Sequence, residues 1–293
     1  MKPRVLLLGR DGYLGRALEQ QLRARGQLVF STSYRQPGAA DDFNLNQPVL
    51  PEHLPPCTHA LITGAQARIA ACEQDPSGSA QINLHGPLAT ARALSARGIL
   101  PVLFSTDYVF DGQQAPYSEH SPLSPLNAYG RQKAALEHQL EQHLPGQYLL
   151  LRLTKIYDHS PGTLITDMIQ QLKQGQPLRV AHDQIMNPLH RQDLLSAIQM
   201  LLEQNQYGCW NLGGIEAFSR LELALQVAAK LELPAHLIEP IALSDLHESF
   251  QRPGDTRLDI TRFCASFPAW QPRRLSDVLQ QYQKTGLTCQ ASV

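Results

Sequence analysis

The chain has 293 residues, of which 43% are apolar and 17% are charged. This length and composition predict an ordinary globular protein with a large core, built as one large domain or as two unequal ones. A formal net charge of -1, without a dense block of Lys and Arg, excludes the electrostatic signature of a nucleic-acid or membrane-surface partner.

The first half of the chain alternates short apolar runs with amphipathic segments. The opening apolar run stops at Gly9 and is too short for a signal peptide. Helical spacing of apolar residues follows in segments 16–25, 80–96 and 127–144. Buried strands are predicted at residues 5–8, 28–30, 60–62, 102–104 and 148–151. Alternating strands and helices predict an α/β fold with a doubly wound parallel sheet of the Rossmann type.

The first predicted strand leads directly into a glycine-rich turn, residues 9–15, and then into a helix. Gly9, Gly12 and Gly15 have the spacing Gly-x-x-Gly-x-x-Gly. Glycines in this position let the backbone approach a pyrophosphate, which the positive end of the helix dipole then stabilises. The strand before and the helix after it favour a dinucleotide-binding loop over a plain tight turn.

The end of the second strand indicates which dinucleotide binds. An acidic residue there would hold the ribose hydroxyls of NAD, but no carboxylate appears before Asp41. Ser33 and Arg35, with Arg10 nearby, offer hydrogen-bond donors to a 2'-phosphate instead. The sequence therefore predicts NADP(H) as the preferred cofactor and leaves NAD(H) open.

A Tyr-x-x-x-Lys pattern, Tyr129 and Lys133, lies in the helical segment 127–144. Side chains four positions apart share one helix face, and a lysine cation there is expected to lower the tyrosine pKa from about 10. Thr106 stands at the carboxyl end of the fourth strand, where ligands bind in parallel sheets. We predict that Thr106 orients a substrate oxygen while Tyr129 protonates it and Lys133 supports the tyrosine.

Five cysteines occur in the chain: Cys57, Cys72, Cys209, Cys264 and Cys289. Their odd number and wide spacing predict neither a disulfide framework nor a zinc site, and they fit a reducing cytoplasm. The eleven histidines show no metal-ligand spacing, so no metal is predicted.

Further motifs, which follow one another in the order typical of a known family, carry a resemblance to that family. They are segments 105–112, 117–119, 125–130, 151–154, 183–185, 193–194, 210–214 and 252–259. With them the chain resembles the extended short-chain dehydrogenases/reductases, in particular the dTDP-4-dehydrorhamnose reductase-like branch. Three segments differ from that branch: Lys155 replaces a typical Trp, 186–188 replaces Gly-Thr-Pro, and 63–67 replaces Asn-Ala-Ala-Ala-Tyr.

The resemblance implies NAD(P)H-dependent reduction of a 4-keto group on a nucleotide-linked deoxysugar, with catalytic residues Thr106, Tyr129 and Lys133. It implies a cofactor site formed by Gly9, Arg10, Asp11, Gly12, Tyr13, Leu14, Gly15, Ser33, Arg35, Asn44, Leu45, Gly64, Ala65, Gln66, Ser105, Tyr129 and Lys133. The implied substrate contacts are Thr106, Asp107, Val109, Lys155, Asn187 and Arg252.

The same resemblance implies two domains. Residues 1–157 would form the dinucleotide-binding domain, with a return segment near 185–215, and residues 158–293 mainly a smaller α/β substrate lobe. A homodimer stays open. Two other functions also stay open: a non-catalytic NADP-binding regulatory subunit similar to the beta subunit of methionine adenosyltransferase, and an epimerase or dehydratase that holds NAD tightly.

Overall fold

The computed structural model describes residues 2–35, 39 and 41–285. The strands are β1 (Val5–Leu8), β2 (Leu28–Ser31), β3 (His59–Ile62), β4 (Leu100–Thr106), β5 (Leu149–Leu153), β6 (Ile156–Tyr157), β7 (Leu178–Ala181), β8 (Ile185–Met186), β9 (Leu189–His190), β10 (Gly208–Leu212), β11 (Phe218–Ser219) and β12 (Ile238–Ile241). The α-helices are α1 (Tyr13–Ala24), α2 (Ile69–Gln74), α3 (Pro76–Ala80), α4 (Gly86–Ser95), α5 (Ala128–His143), α6 (Leu164–Lys173), α7 (Arg191–Glu203), α8 (Arg220–Leu231), α9 (Thr261–Ser266) and α10 (Leu275–Thr285).

The main sheet is parallel and has the strand order β10-β5-β4-β3-β1-β2. Successive residues of β1 point to opposite faces, and both faces are covered. Val5 and Leu7 pack with helices α1 and α7, whereas Leu6 and Leu8 pack with α4 and α5. Burial on both faces explains why these strands read as continuous apolar runs. The predicted Rossmann-type doubly wound fold is confirmed.

All five predicted strands form, with ends that differ by at most two residues. The first helix differs more, because it begins at Tyr13 and so includes Gly15 in its first turn. The helical segment 80–96 is also not uniform: a π-helical turn, Gln81–His85, precedes α4. Periodicity of apolar residues cannot distinguish a π turn from an α turn over five residues, which is why the sequence predicted one helix.

The remaining strands form short pairs outside the main sheet: β7 with β12, β8 with β11, and β6 with β9. A second core joins helices α6, α8 and α10. Strand β10 returns to the edge of the main sheet beside β5 and lies within the predicted return segment. The domain boundary at residue 157 itself stays a prediction.

Across the described ranges, no helix combines the length and the apolar character that crossing a bilayer requires. Cys57, Cys72, Cys209 and Cys264 are free thiols. Cys289 lies outside the described residues.

A buried ion pair joins helix α5 to strand β5. The Arg152 guanidinium lies 2.7 Å from a carboxylate oxygen of Glu137, and the two side chains are only 5% and 6% exposed. We expect Arg152→Met to lower the free energy of unfolding by about 3–5 kcal/mol, because it leaves a buried carboxylate uncompensated. Urea unfolding measures this loss.

The exposed pair Arg23–Glu19 provides the control for that measurement. Its atoms are 2.8 Å apart, nearly the same distance, but the Arg23 side chain is 64% exposed. Arg23→Met should therefore cost less than about 1 kcal/mol. If the two substitutions lowered the free energy of unfolding equally, burial of the ion pair would not determine how much its loss destabilises the protein.

Candidate functional site

The glycine-rich turn lies at the carboxyl end of β1, between β2 and β3. Gly9 has a φ of 97°, and a Cβ on it would lie 3.0 Å from Thr63 Oγ1. Gly12 is the residue before α1; no side chain caps this helix end, and nothing lies within 4 Å of the position of its Cβ. The first N–H groups of α1 are therefore not capped by a side chain of the described residues, and such an uncapped helix end is an arrangement that can bind a pyrophosphate.

The residues predicted to select NADP(H) lie together beside this turn. The Ser33 hydroxyl donates to Asp11 Oδ2 at 2.8 Å, and the exposed Arg35 guanidinium lies 3.9 Å from Asp11. Arg10 forms a salt bridge with Asp41 and donates to a backbone carbonyl oxygen at 2.9 Å. The fold thus places two carboxylates, those of Asp11 and Asp41, where the strand pattern did not predict any. Arg10 is therefore already paired with Asp41 in this structure.

The loop after β3 lies beside the glycine-rich turn, where the Thr63 hydroxyl donates to the Gly9 carbonyl oxygen at 2.7 Å. Leu45 is buried and packs closely on Gly64, where a Cβ would lie 2.7 Å from Leu45 Cδ1. The Gln66 backbone N–H donates to the buried Asn83 Oδ1 at 2.9 Å, and the Asn83 amide donates to Gln132 Oε1 at 2.8 Å. The predicted residues Ala65 and Asn44 are exposed.

Asn83 and Gln132 were missed by the sequence analysis, although both are buried and join the loop after β3 to helix α5. Asn83 lies in the π-helical turn Gln81–His85. Single π turns inside helices often occur at functional sites. The signal was a lone Asn among apolar residues of a helical segment.

Thr106 ends strand β4 and begins a 3-10 turn, Asp107–Val109. Its hydroxyl donates to Asp107 Oδ1 at 3.0 Å and accepts from the Tyr108 backbone N–H at 3.2 Å. Both Thr106 and Asp107 are buried. The preceding Ser105 donates to Glu137, so it supports the core ion pair and its hydroxyl is not free for a cofactor.

Helix α5 brings Tyr129 and Lys133 to the same place. The helix is capped by Asn127, whose side chain accepts from the Gly130 N–H at 2.9 Å. A Cβ on Gly130 would lie 2.2 Å from the Tyr108 carbonyl oxygen, so only glycine lets α5 approach this close. The Lys133 ammonium is buried and donates to the Phe104 carbonyl oxygen of β4 at 3.0 Å.

The expected lowering of the Tyr129 pKa is wrong for this structure. Burial raises the pKa of the phenol, and the negative charge of Asp107 raises it further, while the Thr106 hydroxyl lowers it. Burial also lowers the pKa of Lys133 to about 8, partly offset by Glu137. Desolvation is the largest cause of both shifts and disfavours both charged forms, so the mutual stabilisation predicted from the helix spacing does not decide either pKa. Tyr129 is therefore a protonated acid at neutral pH.

Asp107 carries a charge that the fold does not favour. Burial raises the pKa of its carboxyl to about 6, although hydrogen bonds from Thr256 and Thr106 act in the opposite direction. The folded chain thus binds one proton more than the unfolded chain between pH 4 and 6, and the ionised carboxylate costs stability above that range.

We expect Asp107→Asn to raise the free energy of unfolding at pH 7 by about 1–3 kcal/mol, because the amide needs no ionisation. The gain should shrink as the pH falls from 6 to 4, since wild-type Asp107 then becomes neutral in the folded chain. Denaturant unfolding at several pH values measures it. A gain that stays constant over this pH range would contradict the raised pKa.

Two predicted substrate contacts have buried side chains in this structure. Val109 is fully buried and packs against Phe110 and Leu258, so its side chain cannot touch a ligand. Asn187 is 5% exposed, and its amide donates to the backbone of Gly214 and Leu258 at 3.1 and 3.0 Å. It ties two loops together, because every polar atom of a buried amide needs a partner.

The two predicted cationic contacts line separate cavities. Arg252 pairs with Glu248, donates to the Tyr108 hydroxyl at 3.3 Å and lines a cavity of about 410 Å³. Lys155 lines a cavity of about 240 Å³ together with Arg220. Arg220 could not be predicted from the sequence, because an arginine that begins a helix carries no motif of its own.

The glycine-loop residues Tyr13 and Leu14 point into the protein. Leu14 packs against the core between α1 and α7, and the Arg191 guanidinium stacks on the Tyr13 ring at 4.7 Å. Their backbone N–H groups, not their side chains, belong to the open end of α1. Side-chain contacts from either residue to a cofactor are therefore not expected.

Comparisons with known proteins agree with this arrangement. The chain is 28% identical over 284 residues to dTDP-4-dehydrorhamnose reductase of Salmonella typhimurium, covering 91% of this chain and 94% of the relative. It is 27% identical over 275 residues to methionine adenosyltransferase 2 subunit beta of Rattus norvegicus, covering 88% and 81%. A dTDP-4-dehydrorhamnose reductase of Bacillus anthracis, solved in complex with NADP, superimposes with a TM-score of 0.82 at 21% identity, covering 97% and 100%.

These similarities confirm the predicted class, an NAD(P)H-dependent oxidoreductase with the short-chain dehydrogenase/reductase fold. The predicted cofactor, NADP(H) preferred and NAD(H) left open, agrees with the NADP and NAD bound in solved structures of this fold. The model of the RmlD substrate binding domain matches residues 2–284. The chain therefore belongs to the RmlD substrate-binding domain family.

Proposed function

We propose that this protein is an NADPH-dependent reductase of a 4-keto group on a nucleotide-linked deoxysugar. One observation carries the proposal: the Thr106 hydroxyl hydrogen-bonds the Tyr129 phenol at the carboxyl end of β4, and the Lys133 ammonium, one helical turn along, donates to the Phe104 carbonyl oxygen of the same strand. This is the sheet edge at which the open glycine-rich turn also lies. A proton donor beside a dinucleotide cradle is what carbonyl reduction requires.

The cofactor site fits a dinucleotide phosphate. The uncapped first turn of α1 and the empty space at Gly12 leave room for a pyrophosphate. Ser33 and Arg35 would hold a 2'-phosphate, and Arg10 would join them by exchanging its Asp41 partner for the phosphate. When bound, NADPH supplies the hydride.

The chain's own residues handle the proton and the substrate oxygen. Tyr129 is held protonated by burial and by Asp107, so it can donate its proton to the carbonyl oxygen as that oxygen becomes an alkoxide. The Thr106 hydroxyl orients the same oxygen. The tyrosinate left behind would be stabilised by the buried Lys133 ammonium four residues along the helix, since an ion pair in a dry site is strong.

Spectroscopic assay of NADPH oxidation tests the proposal. The full chain is incubated with NADPH and with dTDP-4-dehydro-6-deoxy sugars, and the product is identified by mass. Turnover with exchangeable NADPH supports a reductase. Tightly bound NAD⁺ that survives purification, with isomerised or dehydrated product, would instead show the epimerase or dehydratase.

A regulatory subunit is the second candidate, supported by the similarity to methionine adenosyltransferase 2 subunit beta. The substitution of Lys155 for the aromatic residue expected near the sugar also fits a site that no longer needs rhamnose-type chemistry. A stable complex with a methionine adenosyltransferase catalytic subunit, together with NADPH binding and no reduction of any nucleotide sugar, would establish this candidate and reject the first.

The domain organisation is part of the proposal. Residues up to about 157 and the returning strand β10 would bind the dinucleotide, and most of the remaining chain would bind the nucleotide sugar. A homodimer also stays a prediction, and light scattering of the purified chain measures it.

A further inference from the structure

Lys155 and Arg220 come from different parts of the fold and meet at one cleft. Lys155 follows β5 by two residues, and Arg220 begins helix α8. Together with Arg179 they line the cavity of about 240 Å³, to which a single carboxylate, Asp167, also contributes. The wall of this cleft is therefore strongly cationic, in a chain whose net charge is close to zero.

The two charges are not paired within the described part of the chain. The salt bridges found there include neither Lys155 nor Arg220. Desolvation in the cleft lowers the pKa of Lys155, and the Arg220 and Arg252 charges lower it further, while the Asp107 and Asp167 carboxylates act in the opposite direction. Two cations that repel each other in a partly dry site cost free energy that an anionic ligand would recover.

Lys155 connects this cleft with the proposed reaction site. The Lys155 ammonium interacts electrostatically with Asp107, whose carboxylate accepts a hydrogen bond from Thr106. An anionic group bound between Lys155 and Arg220 would thus belong to the same substrate molecule whose carbonyl group faces Tyr129. This step rests on the proposed function.

We propose that Lys155 and Arg220 form a two-cation site for an anionic group of the substrate. The group is either the diphosphate of the nucleotide or a carboxylate on the sugar. Both provide oxygen acceptors for an ammonium and a guanidinium at once. In either case Lys155 and Arg220 determine which anionic substrates bind in the cleft.

Titration calorimetry of the full chain, saturated with NADPH, tests this site without turnover. The probes are dTDP, inorganic pyrophosphate, UDP-glucose and UDP-glucuronate. We expect Lys155→Met and Arg220→Gln each to lower the affinity for the anion by about tenfold or more, because each substitution removes one charge-assisted contact. Weaker binding of dTDP and pyrophosphate identifies the diphosphate, and weaker binding of UDP-glucuronate alone identifies the carboxylate.

Lys230→Met is the matched control, because Lys230 is exposed on the last turn of the same helix α8. It should change each affinity by less than about twofold. NADPH affinity verifies that every variant is folded. The proposal would be overturned if both test variants kept the wild-type affinities, or if the control lost as much affinity as they do. It would also be overturned if the wild type bound none of the probes.

The same experiment separates this site from the proposed reaction. Anion binding that depends on Lys155 and Arg220 in a chain that reduces no sugar would keep the site and reject the reductase. Turnover that depends on Tyr129 but not on these two cations would keep the reductase and reject the site.

Discussion

Replacing Tyr129 by Phe is expected to lower turnover by about 10²- to 10⁴-fold, the usual contribution of a positioned general acid. The substitution removes only the phenol oxygen, so the packing of the ring is retained. NADPH affinity should stay within about twofold, because the pyrophosphate contacts come from the glycine-rich turn. Steady-state kinetics and cofactor titration on the same preparation measure the two effects.

Tyr148→Phe is the control for this prediction. The Tyr148 hydroxyl also donates a strong hydrogen bond, to Glu141 at 2.7 Å, but Tyr148 precedes β5 at the opposite edge of the sheet. It should leave kcat unchanged. If Tyr129→Phe retained wild-type turnover, the proton would come from another group and the proposed reductase mechanism would be wrong.

The main sheet could be predicted from the sequence because its strands are buried on both faces. Such strands are short continuous apolar runs, and each is followed by a turn and a helix with a clear period. The helix boundaries inside segment 80–96 could not be predicted in this way. There the change from a π turn to an α-helix alters one hydrogen-bond register without changing the apolar pattern.

Site residues could be predicted where a motif fixes the local geometry. They could not be predicted where tertiary packing decides how a side chain is placed. Thr106 ends β4, and Tyr129 and Lys133 lie one turn apart on α5, so the motifs were enough to predict their places in the fold. Motifs do not reveal whether a neighbouring side chain turns inward, and so the burial of Val109 and Asn187 was not predicted. Degree of burial is likewise a tertiary property, which is why the direction of the Tyr129 pKa shift was wrong.

The glycine-rich turn yields the second large effect, in a pair of substitutions that separates folding from binding. A Cβ on Gly15 would lie 2.2 Å from the Gly9 carbonyl oxygen and 3.0 Å from Arg10 Cα. Alanine favours a helix over glycine by at most about 1 kcal/mol, whereas overpacking against backbone costs about 1–3 kcal/mol or more. We expect Gly15→Ala to lower the free energy of unfolding and to abolish measurable NADPH binding.

Gly12→Ala should behave differently, because the backbone of Gly12 (φ -73°, ψ 168°) suits any residue and no protein atom lies within 4 Å of the new methyl. The free energy of unfolding should change by less than about 1 kcal/mol. The methyl would project into the space that the pyrophosphate needs, so NADPH affinity should fall by about tenfold or more. Urea unfolding without cofactor and calorimetric titration with NADPH measure the two properties. If Gly12→Ala bound NADPH as tightly as the wild type, the open end of α1 would not be the pyrophosphate site, and the cofactor would have to lie elsewhere along the sheet edge.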